Sequence, residues 1–303
     1  MTLFIIGNGF DRAHNIACSY RDFQEFLAKE KPNFFNEITN AYSYSEHLWK
    51  DFEKELPSCS VDISERGIQM GGEMRAEIDY DPYDDMGIGI WLKEQYEFIY
   101  NLPKILRAWI ESIDINKAQK FKQTLFACDS KYFTFNYTAT LERVYGIDAD
   151  DILHIHGFVE NKNEELVIGH GDKSIISEMC TKMTEAENDF LPYHYASYKQ
   201  VHDYCSATFK QTASMIDRNS KYFNNLACID NVIVIGHSLG QVDMPYFEKI
   251  RDSISPNAIW NVYYHDPNDE SRFRSTIEGI GVLKENINVD SVTELYEEQV
   301  DAE

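Results

Sequence analysis

Four apolar residues, Leu3-Phe4-Ile5-Ile6, run without a break and stop at Gly7-Asn8-Gly9. An unbroken apolar run of that length suits a strand covered on both faces, and such strands belong to parallel sheets packed between helices. The same grammar returns along the chain. The segments 131–135, 152–155, 166–168, 231–235 and 258–264 are strand-like, and each gives way to polar or glycine residues: Asn136-Tyr137-Thr138, His156-Gly157, Gly169-His170-Gly171, Gly236-His237-Ser238 and His265-Asp266. Alternation of this kind describes an α/β chain with a mostly parallel, doubly wound sheet, whose strands present the ligand site at their carboxyl ends.

Helical patterns fill the intervals. Ser19, with Asp22 three residues on, makes a start like a capping box ahead of Phe23, Phe26 and Leu27. Further helix is expected over about 34–56, and over 91–113 as a stripe that Pro103 should kink or split. Thr138 to Tyr145 reads as helical, as does about 174–225. Between residues 57 and 89 the periodicity fails while Gly71-Gly72 and the acids of 79–85 accumulate, which reads as a long surface loop of the lid type. The expected architecture is therefore one Rossmann-like domain over 1–303 with helical insertions at about 33–130 and 174–225.

Composition limits the partners. A hydrophobic fraction of 43% with 19 Tyr and 18 Phe supplies a sizeable core, while a net charge of −23 repels phosphodiester backbones and anionic lipid surfaces. Nonspecific nucleic-acid binding and membrane association are thus not expected. The cysteines, at 18, 59, 128, 180, 205 and 228, form no C-x-x-C pair and read as reduced thiols. No apolar run nears the roughly 20 residues of a membrane span, and no basic leader precedes Leu3, so the expected compartment is the cytoplasm.

Three motifs invite chemistry. A strand ending in Gly7-Asn8-Gly9 can turn tightly and admit a phosphate, although Arg12 stands where a third glycine would fall and Asp11 would repel a pyrophosphate. Asp11 suits a helix cap, a ribose or a nicotinamide group instead. Gly236-His237-Ser238-Leu239-Gly240 has the letters of a G-x-S-x-G nucleophile elbow, yet the helix start falls later, at Asp243-Met244-Pro245, with Asp243 as the cap. His154 and His156, with His170 and Asp172 beyond, resemble metal ligands, but ordinary strand and loop histidines give the same letters and no metal is expected.

The stretch Phe133-Thr-Phe-Asn136-Tyr-Thr-Ala-Thr-Leu141-Glu-Arg-Val-Tyr-Gly146-Ile147, followed by His154-Ile-His156-Gly157-Phe158, resembles the sirtuins. Their T-Q-N-I-D-x-L-E-R-x-A-G-I and A-H-G-S-F segments flank an NAD site. Gly7-Asn8-Gly9 takes the place of the sirtuin G-A-G turn, and Gly236-His237-Ser238-Leu239 that of G-T-S-L. The whole chain is more similar still to the AbiH abortive-infection family of bacterial antiphage proteins. That likeness rests on Ile5-Ile6-Gly7-Asn8-Gly9-Phe10-Asp11, Ser19-Tyr20-Arg21-Asp22-Phe23, Phe135-Asn136-Tyr137-Thr138, His154-Ile-His156-Gly157 and Gly236-His237-Ser238-Leu239-Gly240-x-x-Asp243. Two departures from the sirtuins are the missing four-cysteine zinc module and Thr138 in place of the aspartate of N-I-D.

The resemblance implies an NAD site without acyl-lysine chemistry, in an antiphage effector that hydrolyses NAD to nicotinamide and ADP-ribose. Under it, Asn136 orients the ribose or the attacking water, and His156 is the base. Gly7, Asn8 and Gly9 admit the pyrophosphate, while Gly236, His237 and Ser238 line the site, with Ser238 on a phosphate or ribose. Asp266 meets the adenosine, and Asp11 and Asp22 stand near the nicotinamide end. An activating phage factor and a homo-oligomer are compatible with this reading. Two alternatives stay open: a nucleotide sensor without turnover, and a serine hydrolase built on Gly236-His237-Ser238-Leu239-Gly240.

Overall fold

The computed structural model of the chain describes residues 1–43, 45–76, 84–121, 126 and 129–293. Residues 79–83 of the acidic run and the acidic end at 297–303 lie outside these. The chain divides into two compact units, one comprising 1–19, 107–167 and 211–303, the other 20–106 and 168–210.

The first unit holds a six-stranded, all-parallel sheet: β1 (Thr2–Ile6), β2 (Ser130–Thr134), β3 (Ile152–His154), β4 (Asn231–Ile235), β5 (Ile259–Tyr264) and β6 (Ile287–Ser291). Their order across the sheet is β3-β2-β1-β4-β5-β6. β1 pairs with β2 on one side and β4 on the other, Thr2 standing beside Ser130 and Asn231, so it is an interior strand near the middle of the sheet. Its pattern follows from that place. Leu3 and Ile5 enter one apolar layer with Phe133, Val234 and Phe247, whereas Phe4 and Ile6 enter the opposite layer with Phe10, Tyr132 and Tyr145. Each such side chain contributes about 1.5–3 kcal/mol by leaving water. A continuous apolar run was required because both faces are covered.

Two strand expectations need correction. Residues 166–168 are not a strand. Leu166 is buried, but this stretch is tied to the rest of the unit by single bonds, Val167 N–H donating to the His156 carbonyl and Tyr137 Oη donating to the Val167 carbonyl, instead of by a ladder. The strand that sequence periodicity passed over is β6, a sheet edge whose residues alternate between buried Ile287 and Val289 and exposed Asn288 and Asp290.

The second unit is helical, with helices Tyr20–Glu30, Pro32–Ala41, Phe52–Glu55, Cys59–Arg75, Asp84–Gln95, Lys173–Asn188 and Pro192–Ala207. The expected loop over 57–89 is overturned, since most of it is the helices Cys59–Arg75 and Asp84–Gln95. Two of its glycines serve contact, not turning. A Cβ on Gly67 would stand 2.1 Å from Ser197 Oγ, and one on Gly71 would stand 2.5 Å from the Tyr193 ring, so glycines one helical turn apart let Cys59–Arg75 press against Pro192–Ala207. The split at Pro103 is present: helix Asp84–Gln95 ends, a 3-10 turn covers Glu97–Asn101, and Pro103 falls in the first turn of Leu102–Ser112. Among the described residues no helix is long and apolar enough to cross a membrane.

Candidate functional site

With strand order β3-β2-β1-β4-β5-β6, the connections leave β1 and β4 in opposite directions, which is the switch point beyond whose carboxyl ends sheets of this kind place their ligand crevice. β1 runs through Gly7 into the short helix Asn8–Ala13, and β4 runs into Gly236. The two turns touch backbone to backbone. Gly9 N–H donates to the Gly236 carbonyl at 2.8 Å, a Cβ on Gly7 would lie 2.6 Å from that same oxygen, and one on Gly236 would meet the Phe10 nitrogen at 2.2 Å. Gly236 also has φ +69°, a left-handed conformation that favours glycine. The need for glycine at 7, 9 and 236 is thus met by a crossing of two main chains. The neighbouring Asn8 is held by Cys18, its Nδ2 donating to the Cys18 carbonyl at 2.9 Å and its Oδ1 accepting from Cys18 Sγ.

β2 delivers Asn136 to the same end. Its Nδ2 donates to the Gly7 carbonyl at 3.2 Å, its backbone N–H to Thr134 Oγ1, and its Oδ1 is buried without a hydrogen-bond partner among the described residues. Beside it lies Asp11, 1% exposed, whose Oδ2 accepts from Thr138 Oγ1, with Thr140 Oγ1 3.1 Å beyond. Asp11 Oδ1 is likewise buried without a partner. Burial pushes the Asp11 carboxyl up to about 6, against the partial relief given by the Thr138, Thr140 and Asn136 groups and by His154. The sequence places Thr138 where a sirtuin carries aspartate; the structure places the Asp11 carboxylate on the Thr138 hydroxyl.

The two histidines of His154-Ile-His156 part company, because β3 ends at His154 and a turn follows. His154 is fully employed. Its Nδ1 donates to the Asn136 carbonyl at 2.8 Å, its Nε2 faces Glu142 Oε1 at 2.9 Å, and Phe158 stacks on its ring. His156, 4% exposed, packs among Phe135, Tyr137 and Tyr246 and turns Nε2 toward Asp243 Oδ1 at 3.7 Å. The other oxygen of that carboxylate stands 3.3 Å from His237 Nε2, and His237 Nδ1 accepts the Leu239 N–H at 2.9 Å. Two imidazoles therefore flank one carboxylate where the β3 and β4 loops meet.

The remaining candidates are held in other ways. Ser238 is exposed; its carbonyl accepts from Arg272 Nη1 at 2.8 Å, and among the described residues no histidine bonds its hydroxyl. The left-handed residues of this loop are Gly236 and Leu239, and the chain passes through a 3-10 turn at Gln241–Asp243 before the helix Met244–Ser253, so the strand does not lead straight into a helix as a nucleophile elbow must. Asp266 Oδ1 accepts from both Asn268 nitrogens, closing a turn beyond β5. Asp22 is in the first turn of Tyr20–Glu30, in the helical unit. In that unit His170 Nε2 donates to the Cys205 carbonyl, its Nδ1 accepts from Asp172 N–H, and the Asp172 side chain caps Lys173–Asn188. Among the described residues no group of three or more His, Cys, Asp and Glu side chains is arranged to hold a metal ion.

Sequence reasoning took Asp243 for a helix cap. It does occupy the position before Met244–Ser253, but its side chain makes no capping bond and faces the histidines. The signal lay in the spacing of Gly236-His237 and Asp243 across one short loop, which carries no geometric information until the loop is folded.

A parallel sheet of this order, with its polar side chains gathered at the carboxyl ends of β1 to β4, defines a Rossmann-like α/β protein. The chain belongs to the AbiH family: the family model for bacteriophage abortive infection AbiH matches residues 3–264, which places the protein in abortive infection. No curated protein and no solved structure matches the chain.

Proposed function

We propose that this AbiH protein binds NAD at the β1–β4 crevice and hydrolyses its nicotinamide–ribose bond, so that abortive infection proceeds by loss of the cofactor. The carrying observation is that Asn136, Asp11 and His156 all stand at the carboxyl ends of neighbouring strands, two of them with buried acceptor oxygens that have no donor among the described residues. A carboxamide or a ribose hydroxyl is the kind of donor those oxygens lack. In the reaction, water adds to the anomeric carbon, the bond to the ring nitrogen breaks with its electron pair passing to the pyridinium, and neutral nicotinamide leaves. His156 takes the proton of the water, or of a ribose hydroxyl acting on it, and Asn136 orients the attacking group. Gly7, Gly9, Gly236 and Ser238 border the site, and Asp266 at the end of β5 faces the adenosine side. Since Asn136 and His156 are 7% and 4% exposed, activity waits on an opening of the crevice, the natural place for a phage-borne or phage-induced trigger.

The test is release of nicotinamide from NAD by the purified full-length protein with and without lysate of infected cells, together with NAD levels in infected cells. Asn136→Ala and His156→Gln are each expected to lower release by about 10²- to 10⁴-fold and to abolish protection. Glutamine is used at 156 because alanine would open a void among Phe135, Tyr137 and Tyr246. Phage protection by the wild type with NAD unchanged would refute hydrolysis.

A further inference from the structure

We infer that Asp243 is the positioning residue of the site, anchored through one carboxylate oxygen by His237 and holding His156 with the other; the inference rests on the reading of His156 as the base. The geometry supplies an order of events. Leu239 donates its N–H to His237 Nδ1 at 2.9 Å, so Nδ1 must present a lone pair, and the ring proton is confined to Nε2, which points at Asp243 Oδ2 from 3.3 Å. Leu239 adopts φ +54°, a left-handed conformation uncommon for a leucine, to make that bond. Strain retained beside a buried histidine indicates that the tautomer matters.

Phe135 fixes both imidazoles, its ring lying 4.2 Å from that of His237 and 5.3 Å from that of His156. The carboxylate between them is thereby oriented from one side, which leaves Oδ1 directed at His156 Nε2 across 3.7 Å. That gap is longer than a hydrogen bond and closes with a small rotation of either group. Among the groups that face His156 are Asp243 from the loop before Met244–Ser253, Tyr246 from that helix, and Phe135 and Tyr137 from the segment after β2. Asp243 brings a carboxylate to this face, so an imidazolium formed at His156 finds a counter-charge there. Asp243 itself is not placed against the reacting atoms; it acts through His156. A helix-capping role would instead require a bond to the backbone of Met244–Ser253, and that bond is not made.

The experiment is side-chain NMR of the full-length protein labelled with ¹⁵N-histidine, read alongside nicotinamide release. In the wild type, His237 is expected as the Nε2–H tautomer, and finding the proton on Nδ1 would overturn the proposal without any variant. In Asp243→Asn, the titration midpoint of His156 should fall, because the counter-charge is gone, and kcat should drop on the order of 10²-fold with KM nearly unchanged. Asp243→Glu should recover part of both. An unmoved His156 midpoint in a folded Asp243→Asn protein would overturn the assignment. If the wild type releases no nicotinamide, the hydrolysis reading fails separately, while the His237 tautomer and the His156 titration still decide the place of Asp243.

Discussion

Each unit buries an aspartate, and the two are handled in opposite ways. Asp62, on helix Cys59–Arg75, is 5% exposed and accepts from Arg66 Nε at 3.0 Å and from Tyr96 Oη at 2.5 Å. Asp11, in the sheet unit, is as deeply buried, yet the groups around it are hydroxyls and an amide, and one of its oxygens is left bare. A buried carboxylate beside a cation within its own helix is a structural fixture. One held mainly by hydroxyls and an amide and pushed up to about 6 keeps a desolvation cost that packing does not need, and such costs gather where a ligand or a proton is to be received. The difference is in keeping with the proposed reading, which puts the chemistry in the sheet unit.

The largest effect should come from the helical unit. Asp62→Ala removes one partner of a buried pair and strands the Tyr96 hydroxyl; with Arg66 43% exposed and able to reach water, the loss should be about 2–3 kcal/mol. It is read as a lower urea midpoint with an unchanged slope, and a neutral result would remove the contrast with Asp11. Asp11→Asn should do the reverse. The folded pKa of about 6 lies above the ordinary 3.8, so the folded state binds the extra proton between those values, and the stability this group lends is complete below about pH 4 and lost as pH rises through 6. The wild type should therefore lose up to about 3 kcal/mol between pH 4 and 7 on this account. The asparagine variant should lack that slope and be more stable than wild type at pH 7 by roughly 1–2 kcal/mol, with part of the gain offset by a new amide that needs a partner. Urea titrations of both proteins at several pH values check this, and a variant less stable at pH 7 than wild type would show that the Asp11 charge is paired after all. The smallest change is expected at Ser238, at the same end of the sheet but exposed. Ser238→Ala should alter stability by less than about 0.5 kcal/mol and leave NAD turnover in place, and a fluorophosphonate probe should not label the wild type. Covalent labelling would restore the serine-hydrolase reading and move the chemistry off the buried cluster.

How much of this was legible in the sequence follows from how local each cause is. β1 and β4 were legible because enclosure on both faces forces an unbroken apolar run, visible in five residues. β6 was missed because an edge strand keeps Asn288 and Asp290 exposed and so looks like loop. Glycines are ambiguous in sequence: Gly67 and Gly71 look like turn residues and are helix contacts, whereas Gly7, Gly9 and Gly236 stand where two main chains cross. At the candidate site, Asn136, His156 and Asp11 could be singled out from the sequence. The contacts they make could not, since Asp11 meets Thr138 across 127 positions and Asp243 meets His156 from a different strand's loop.

The pairing of β1 with β4 joins residues 229 positions apart, Asn231 reaching Thr2. At about 5–20 residues per second of synthesis, the first strand waits roughly 10 to 45 s for its central neighbour, and the Gly9–Gly236 contact forms only after that. A nascent or prematurely ended chain accordingly has Asn8–Ala13 without its seat and His156 without Asp243. Under the proposed function, a site assembled from residues between Asp11 and Asp243 stays silent until the chain has been made at least that far.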